Sequence, residues 1–349
     1  GDNFSADIGT SGFELDFWGR LNSLTEAQRN RWFATEAAAR AARITLVSDV
    51  AEAWLAYAAD RSLLDVALLT VENARQNVAL TEARLAGGIA PRTDLAQASQ
   101  ILAQAESDVA AQTTALAQDV NALTLLVGTG FDPALLPAAI ETAGATIAPP
   151  PPGLDSAILL RRPDILEAEY ALRAANAEIG AARAALFPTI SLTSVLGLAS
   201  DALAALFTGD AFTWQSGAFA SYPIFRAGAG RAQVEGSIAQ RDAALAAYER
   251  AVQTGFRDVA DALARQGTIG AQLAAVDRQA AAAGETFTPT EARYRGGVEP
   301  FLASLDAQRA LYAAQRTQVN TRLIAAANGV ALYRALGGDA LLGTPQQPD

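Results

Sequence analysis

Thr81-Glu82-Ala83-Arg84-Leu85-Ala86-Gly87-Gly88-Ile89-Ala90-Pro91 and Thr290-Glu291-Ala292-Arg293-Tyr294-Arg295-Gly296-Gly297-Val298-Glu299-Pro300 share the frame T-E-A-R-x-x-G-G-x-x-P at an offset of 209 positions. The same offset aligns Val50-Ala51-Glu52-Ala53 with Val259-Ala260-Asp261-Ala262, and Gly19 with Gly228. One ungapped register therefore joins residues 19–98 to residues 228–307. Chance in an Ala-rich chain does not readily supply so specific a frame, so the chain is read as an internal duplication.

Each copy has a helical pattern. Ile44, Val47, Ala51, Trp54 and Ala58 follow heptad spacing, which predicts a seam along one helix face. Residues 23–85 contain neither Gly nor Pro, and a helix of that length would span on the order of 90 Å. Gly-Gly followed by Pro is stop-and-restart chemistry. Each copy is thus expected to be a long antiparallel helical hairpin with a tight tip. Pro289 is expected to kink or delay the second incoming helix.

Strands precede the helices. Phe4–Gly9 and Phe13–Phe17 alternate with the apolar phase switched between them, and Thr189–Thr193 alternates and continues towards Leu198. Trp214–Tyr222 follows as its partner, ended by Pro223. Such alternation suits a surface strand or a lipid-facing barrel strand equally. The expected organisation is a first repeat over 1–148, a Pro-rich linker over 149–153, a second repeat over 154–340 and a tail over 341–349. A duplicated design calls for two strands before each copy. One before the first copy, with no Met at position 1, leads to the expectation that the chain begins after its first strand.

Composition narrows the function. Hydrophobic residues make up 51% against 18% charged, and aromatics only 7%, so the apolar material is largely Ala and suits closely packed helices. With no His, Cys or Lys, neither a Ser-His-Asp nor a Cys-His nucleophile, a Cys/His zinc site or a P-loop lysine is available. No enzyme, cofactor or metal is expected. A net charge of −11 disfavours nucleic acid. No run of roughly 18 apolar residues exists for a transmembrane helix, although a β-barrel needs none.

Leu159-Leu160-Arg161-Arg162-Pro163-Asp164-Ile165 and Ile179-Gly180-Ala181-Ala182-Arg183-Ala184-Ala185-Leu186-Phe187-Pro188 bound a central block that also holds Ala168-Glu169 and Ala174-Ala175-Asn176-Ala177. With Phe13–Arg20, Pro223-Ile224-Phe225 and Leu332–Gly338, this block resembles TolC/OprM-type outer-membrane efflux channels over almost the whole chain. The resemblance implies a mainly α protein with membrane β-strands. Its long hairpins form a trimeric α-barrel, and four strands per protomer close a twelve-stranded β-barrel in outer-membrane lipid. It further implies a passive exit duct of a tripartite pump, with a periplasmic adaptor and an inner-membrane RND transporter as partners. The rival reading is a non-conducting helical scaffold or soluble derivative of such a channel.

The same resemblance implies site residues. Tyr294 and Asp94 match a gate tyrosine and aspartate, while Leu302 and Asp306, on one helix face, match constricting rings at the periplasmic mouth. Carboxylates near helix N-termini would equally account for Asp94 and Asp306. Glu299 replaces a gate arginine found in some members, so a different lock is expected. Gly87, Gly88 and Ile89, with Gly296, Gly297 and Val298, match adaptor-docking tips and also read as plain turns. Arg161-Arg162-Pro163-Asp164 is read as a structural helix start.

Overall fold

The structure, a computed structural model, describes residues 3–147 and 155–338; the expected linker at 149–153, Leu154 and the 341–349 tail lie outside them. Helices α1 (Arg20–Ala86) and α5 (Ala229–Arg295) each run for 67 residues and begin and end 209 positions apart. Helices α2 (Arg92–Val127) and α6 (Phe301–Ala335) follow in the same register. α5 keeps the span of α1 although it holds Gly236, Gly255, Gly267, Gly270 and Gly284. Packing, not intrinsic propensity, therefore sets its length. Pro289 lies inside α5 without ending it, because neighbouring bonds carry the helix past the one donor that proline lacks.

The described residues form two compact bodies, one from 3–40 with 163–253 and one from 41–147 and 155–162 with 254–338. The first holds strands β1 (Phe4–Leu15), β2 (Thr189–Ser200) and β3 (Phe212–Ser221), paired antiparallel in the order β1-β2-β3. The register sets Ala6, Leu198 and Phe212 abreast, then Ile8, Leu196 and Trp214. A bulge between Thr10 and Phe13 explains the switched phase in β1. It adds one residue, so Phe13 and Leu15 return to the apolar face. Gly12 turns the chain there at φ 69°, its N–H donating to the Thr193 hydroxyl at 3.1 Å. Ser5, Asp7, Thr193, Thr213 and Gln215 alternate onto the opposite face.

The block Phe13–Arg20 is the strand-to-helix corner of this body. Glu14 pairs with Arg20, and Asp16 accepts the N–H groups of Leu21 and Asn22, capping α1. Those bonds hold the Asp16 carboxyl below its usual range. Trp18 stacks on Phe187 at 4.7 Å and donates to the Pro188 carbonyl at 2.8 Å. Helix α4 (Pro163–Ala184) packs through Ala174, Ala177, Ala181 and Ala184. A Cβ at Gly180 would come within 2.8 Å of the Ser23 hydroxyl, so α1 and α4 approach closely there.

In the second body, Leu55, Ala58, Ala59 and Leu63 of α1 pack with Val319, Ala326 and Val330 of α6 and with Ile140 and Ala143 of the short α3 (Ile140–Gly144). The expected α1 seam holds at Ile44 and Ala58, but Val47 is exposed and Ser48 is buried in its place. The helix rotates its buried stripe by one residue relative to a strict heptad. Arg162 is 6% exposed, pairs with Asp258 and donates to the Ala335 carbonyl at α6's end. That is the structural role expected of its block.

The carboxyl groups of Asp60 of α1 and Asp119 of α2 interact electrostatically across the two helices. Burial and then the Asp60 charge push Asp119 up to about 6. A carboxyl whose pKa rises on folding contributes stability below its unfolded value and loses it as pH rises through about 6. Asp119→Asn should therefore raise Tm by about 2 °C at pH 8 and leave it unchanged at pH 4. Thermal unfolding of both proteins at the two pH values checks this.

Candidate functional site at the hairpin tips

The tips are built by two identical helix terminations. Ile89 N–H bonds to the Arg84 carbonyl and Gly88 N–H to Leu85; Val298 and Gly297 repeat this with Arg293 and Tyr294. These are paired Schellman ends, with Gly88 at φ 71° and Gly297 at φ 76°. The first glycine of each pair is different in kind. A Cβ at Gly87 or Gly296 would meet its neighbours at 3.5 Å or more, an ordinary contact. Ile89 and Val298, at 80% and 72% exposure, project from the tips, and Pro91 and Pro300 start the returning helices.

Between the tips the two copies are cross-linked. Tyr294, buried against Phe301, Leu305 and Ala98, shares a 2.9 Å hydrogen bond with the Thr81 hydroxyl. The Arg84 guanidinium lies 4.4 Å from the Tyr294 ring centroid. It donates to the Tyr294 carbonyl at 2.6 Å and to the Arg295 carbonyl at 3.3 Å. Glu291, 6% exposed, accepts from Arg295 at 2.9 Å, from Asn77 at 3.5 Å and from Ser304. Arg295 also donates to Gln76 at 2.8 Å.

The residues expected at a gate fall into two groups. Leu302 and Asp306 share the exposed face of α6, opposite buried Phe301, Ser304 and Leu305. Tyr294 is inside, its phenol meeting Thr81, whereas Asp94 stands half-buried in the first turn of α2, its N–H bonded back to Pro91. Glu299 pairs with Arg293 at 3.2 Å within its own tip. Thr81, Arg84 and Glu291 were not singled out from sequence, although all three lie in the repeated T-E-A-R frame. Among the described residues no three carboxylates converge to hold a metal ion.

A strand sheet with one apolar face, together with duplicated helical hairpins closed by Gly-Gly tips, defines the class of an outer-membrane channel subunit. A family profile described as outer membrane efflux protein matches residues 2–129 and 154–338. The solvent efflux pump outer membrane protein SrpC of Pseudomonas putida is 40% identical over 326 residues, covering 93% of this chain and 69% of that protein. The cation efflux system protein CusC of Escherichia coli K12 is 39% identical, covering 96% and 73%. The open-state MtrE outer-membrane channel of Neisseria gonorrhoeae superposes with a TM-score of 0.84 at 33% identity, covering 96% and 76%. The chain belongs to the outer membrane efflux protein family and is an outer-membrane component of efflux.

The two glycines of each tip should respond differently to substitution. Gly88→Ala or Gly297→Ala should destabilise the protein by about 1 kcal/mol through the left-handed backbone. Gly87→Ala and Gly296→Ala should be near neutral. Thermal unfolding of the four single variants tests this ordering.

Proposed function

We propose that the chain is the passive, non-enzymatic exit duct of a tripartite efflux pump, working as a homotrimer with a periplasmic adaptor and an inner-membrane transporter. The observation that carries this is the sheet face that bears Ile8, Phe212 and Trp214, exposed at 79%, 61% and 65%. In a channel of this family such a face turns to outer-membrane lipid, and the reverse, with Ser5, Asp7, Thr213 and Gln215, lines the water-filled lumen. Relatives named for solvent, toluene, antibiotic and cation efflux are 39–41% identical to this chain. We therefore place substrate choice in the inner-membrane transporter and passage in this chain.

The mouth of the duct is assigned to the tips. Leu302 and Asp306 lie one turn apart on the free face of α6, where three copies would bring them together about the axis. A ring of Leu302 excludes water, and a ring of Asp306 repels anions. The exposed Gly-Gly tips, with Ile89 and Val298 projecting, offer the adaptor its docking surface.

Reconstituted in planar bilayers, the protein should conduct ions, and Asp306→Ala should raise the closed-state conductance and weaken cation preference. A purified protein that partitions into detergent yet never conducts would favour the scaffold reading. Unchanged conductance in Asp306→Ala would remove that ring from the gate.

A further inference from the structure

A cavity of about 140 Å³ lies among α1, α2 and α6 in the second body. Its floor is buried, with Thr70, Ala105 and Gln308 at 9%, 2% and 6% exposure. The Gln308 Nε2 has no hydrogen-bond partner among the described residues. A buried donor left unpaired costs free energy and calls for a physical reason. A larger cavity of about 520 Å³, among α3, α5 and α6, poses no such question. There Arg322 pairs with Glu141 and Asp277, and Gln266 accepts from Asn328 at 3.2 Å. None of the described lining residues of that cavity has a buried side-chain atom without a partner.

The other polar groups of the smaller cavity have spent their donors elsewhere. The Thr70 hydroxyl donates to the Val66 carbonyl at 2.8 Å. The Tyr312 phenol and the Gln104 amide both donate to Asp108, at 2.6 Å and 3.1 Å. Burial and then that carboxylate push Tyr312 up to about 12, so the proton stays on the phenol. The donors left over are Gln308 on the floor, with Gln100 and Arg309 at the exposed rim. Arg309 joins no ion pair among the described residues, and the Arg316 guanidinium lies over the Tyr312 ring at 5.5 Å. The charged groups on or touching the lining are thus two arginines and one carboxylate, although the chain carries −11 overall. Ile101 and Ala105 complete the wall with apolar surface. A buried water needs several polar partners, and that wall offers none.

We propose that this cavity binds a small organic monocarboxylate. The Gln308 amide and the Arg309 guanidinium take its carboxylate, and its apolar body lies against Ile101 and Ala105. A carboxylate only accepts, so it matches a site whose free groups are donors. Volume sets the size of the guest. An apolar cavity of roughly 150 Å³ holds benzene, so benzoate has suitable bulk. Such a site is independent of the channel reading, because its occupancy is measured on purified protein whether or not that protein conducts.

The full chain in detergent is titrated with sodium benzoate, benzyl alcohol and benzylammonium chloride at constant ionic strength, by calorimetry and thermal unfolding. Benzoate should bind saturably with Kd on the order of 1 mM, as so few atoms allow. Its binding should raise Tm by mass action. Benzyl alcohol should bind about tenfold more weakly, and benzylammonium should not bind. Arg309→Gln should weaken benzoate about tenfold. Gln308→Glu keeps the side-chain shape but sets an anion on the floor, and should abolish binding. No saturable benzoate binding to the folded chain would leave water as the occupant and overturn the site. Equal affinity for benzyl alcohol would overturn the carboxylate, and unchanged binding in either folded variant would overturn the assignment to this cavity. Should Gln308→Glu fail to fold, Gln308→Leu, which removes the donor, takes its place with the same readings.

Discussion

Helix termination is the constraint on which the structure depends. Helices of this length end with carbonyls that have no intrahelical donor, and four such ends must be satisfied within one chain. Backbone supplies most of the donors, through left-handed glycines that recur in the duplicated register: Gly88 with Gly297, and Gly128 with Gly337. Arginine supplies the rest. Arg84 reaches the end of α5, and Arg162 reaches Ala335 at the end of α6. Both capped ends belong to the second copy, and both arginines come from residues preceding α4. Arg84 thus joins the two copies at a helix end, while Arg162 ties the start of the second repeat to the end of its last helix.

Along those faces, small residues set the distance. Ala58, Ala59, Ala98 and Ala105 are almost fully buried, which lets helix backbones approach closely with little side-chain entropy lost. The polar contacts then select one register among the many that an Ala-lined surface tolerates. Thr81 against Tyr294 and Asn77 against Glu291 are such contacts, each placed one turn from the next. A one-residue rotation of either helix would bury Glu82 or expose Tyr294, and neither is compatible with the packing around Phe301 and Leu305.

The backbone plan was legible from sequence because it is periodic. The offset of 209, the helix limits, the Gly-Gly-x-x-Pro tips and the three strands are all consequences of spacing. What was hidden is rotation about each helix axis. The frame T-E-A-R is spelled identically in both copies, yet Thr81 is buried and Glu82 exposed in one, while Glu291 is buried in the other. Identical letters cannot reveal which face each copy turns inward, since that depends on the partner helix. Val47 and Ser48 exchange roles for the same reason. The phase switch in β1 was visible, but its cause, a bulge at Gly12, is set by pairing with β2 and not by β1 alone.

The sheet carries the last step. Its apolar face fits lipid, but a sheet has edges as well as faces, and among the described residues β1 and β3 each pair with β2 only. In hydrocarbon, unpaired backbone N–H and C=O groups along an edge are prohibitively costly, so a sheet of this kind crosses a membrane only when closed. The outer edges of β1 and β3 must therefore meet strands from beyond this sheet. Closure of the sheet is therefore a requirement of its backbone, independent of which side chains line either face.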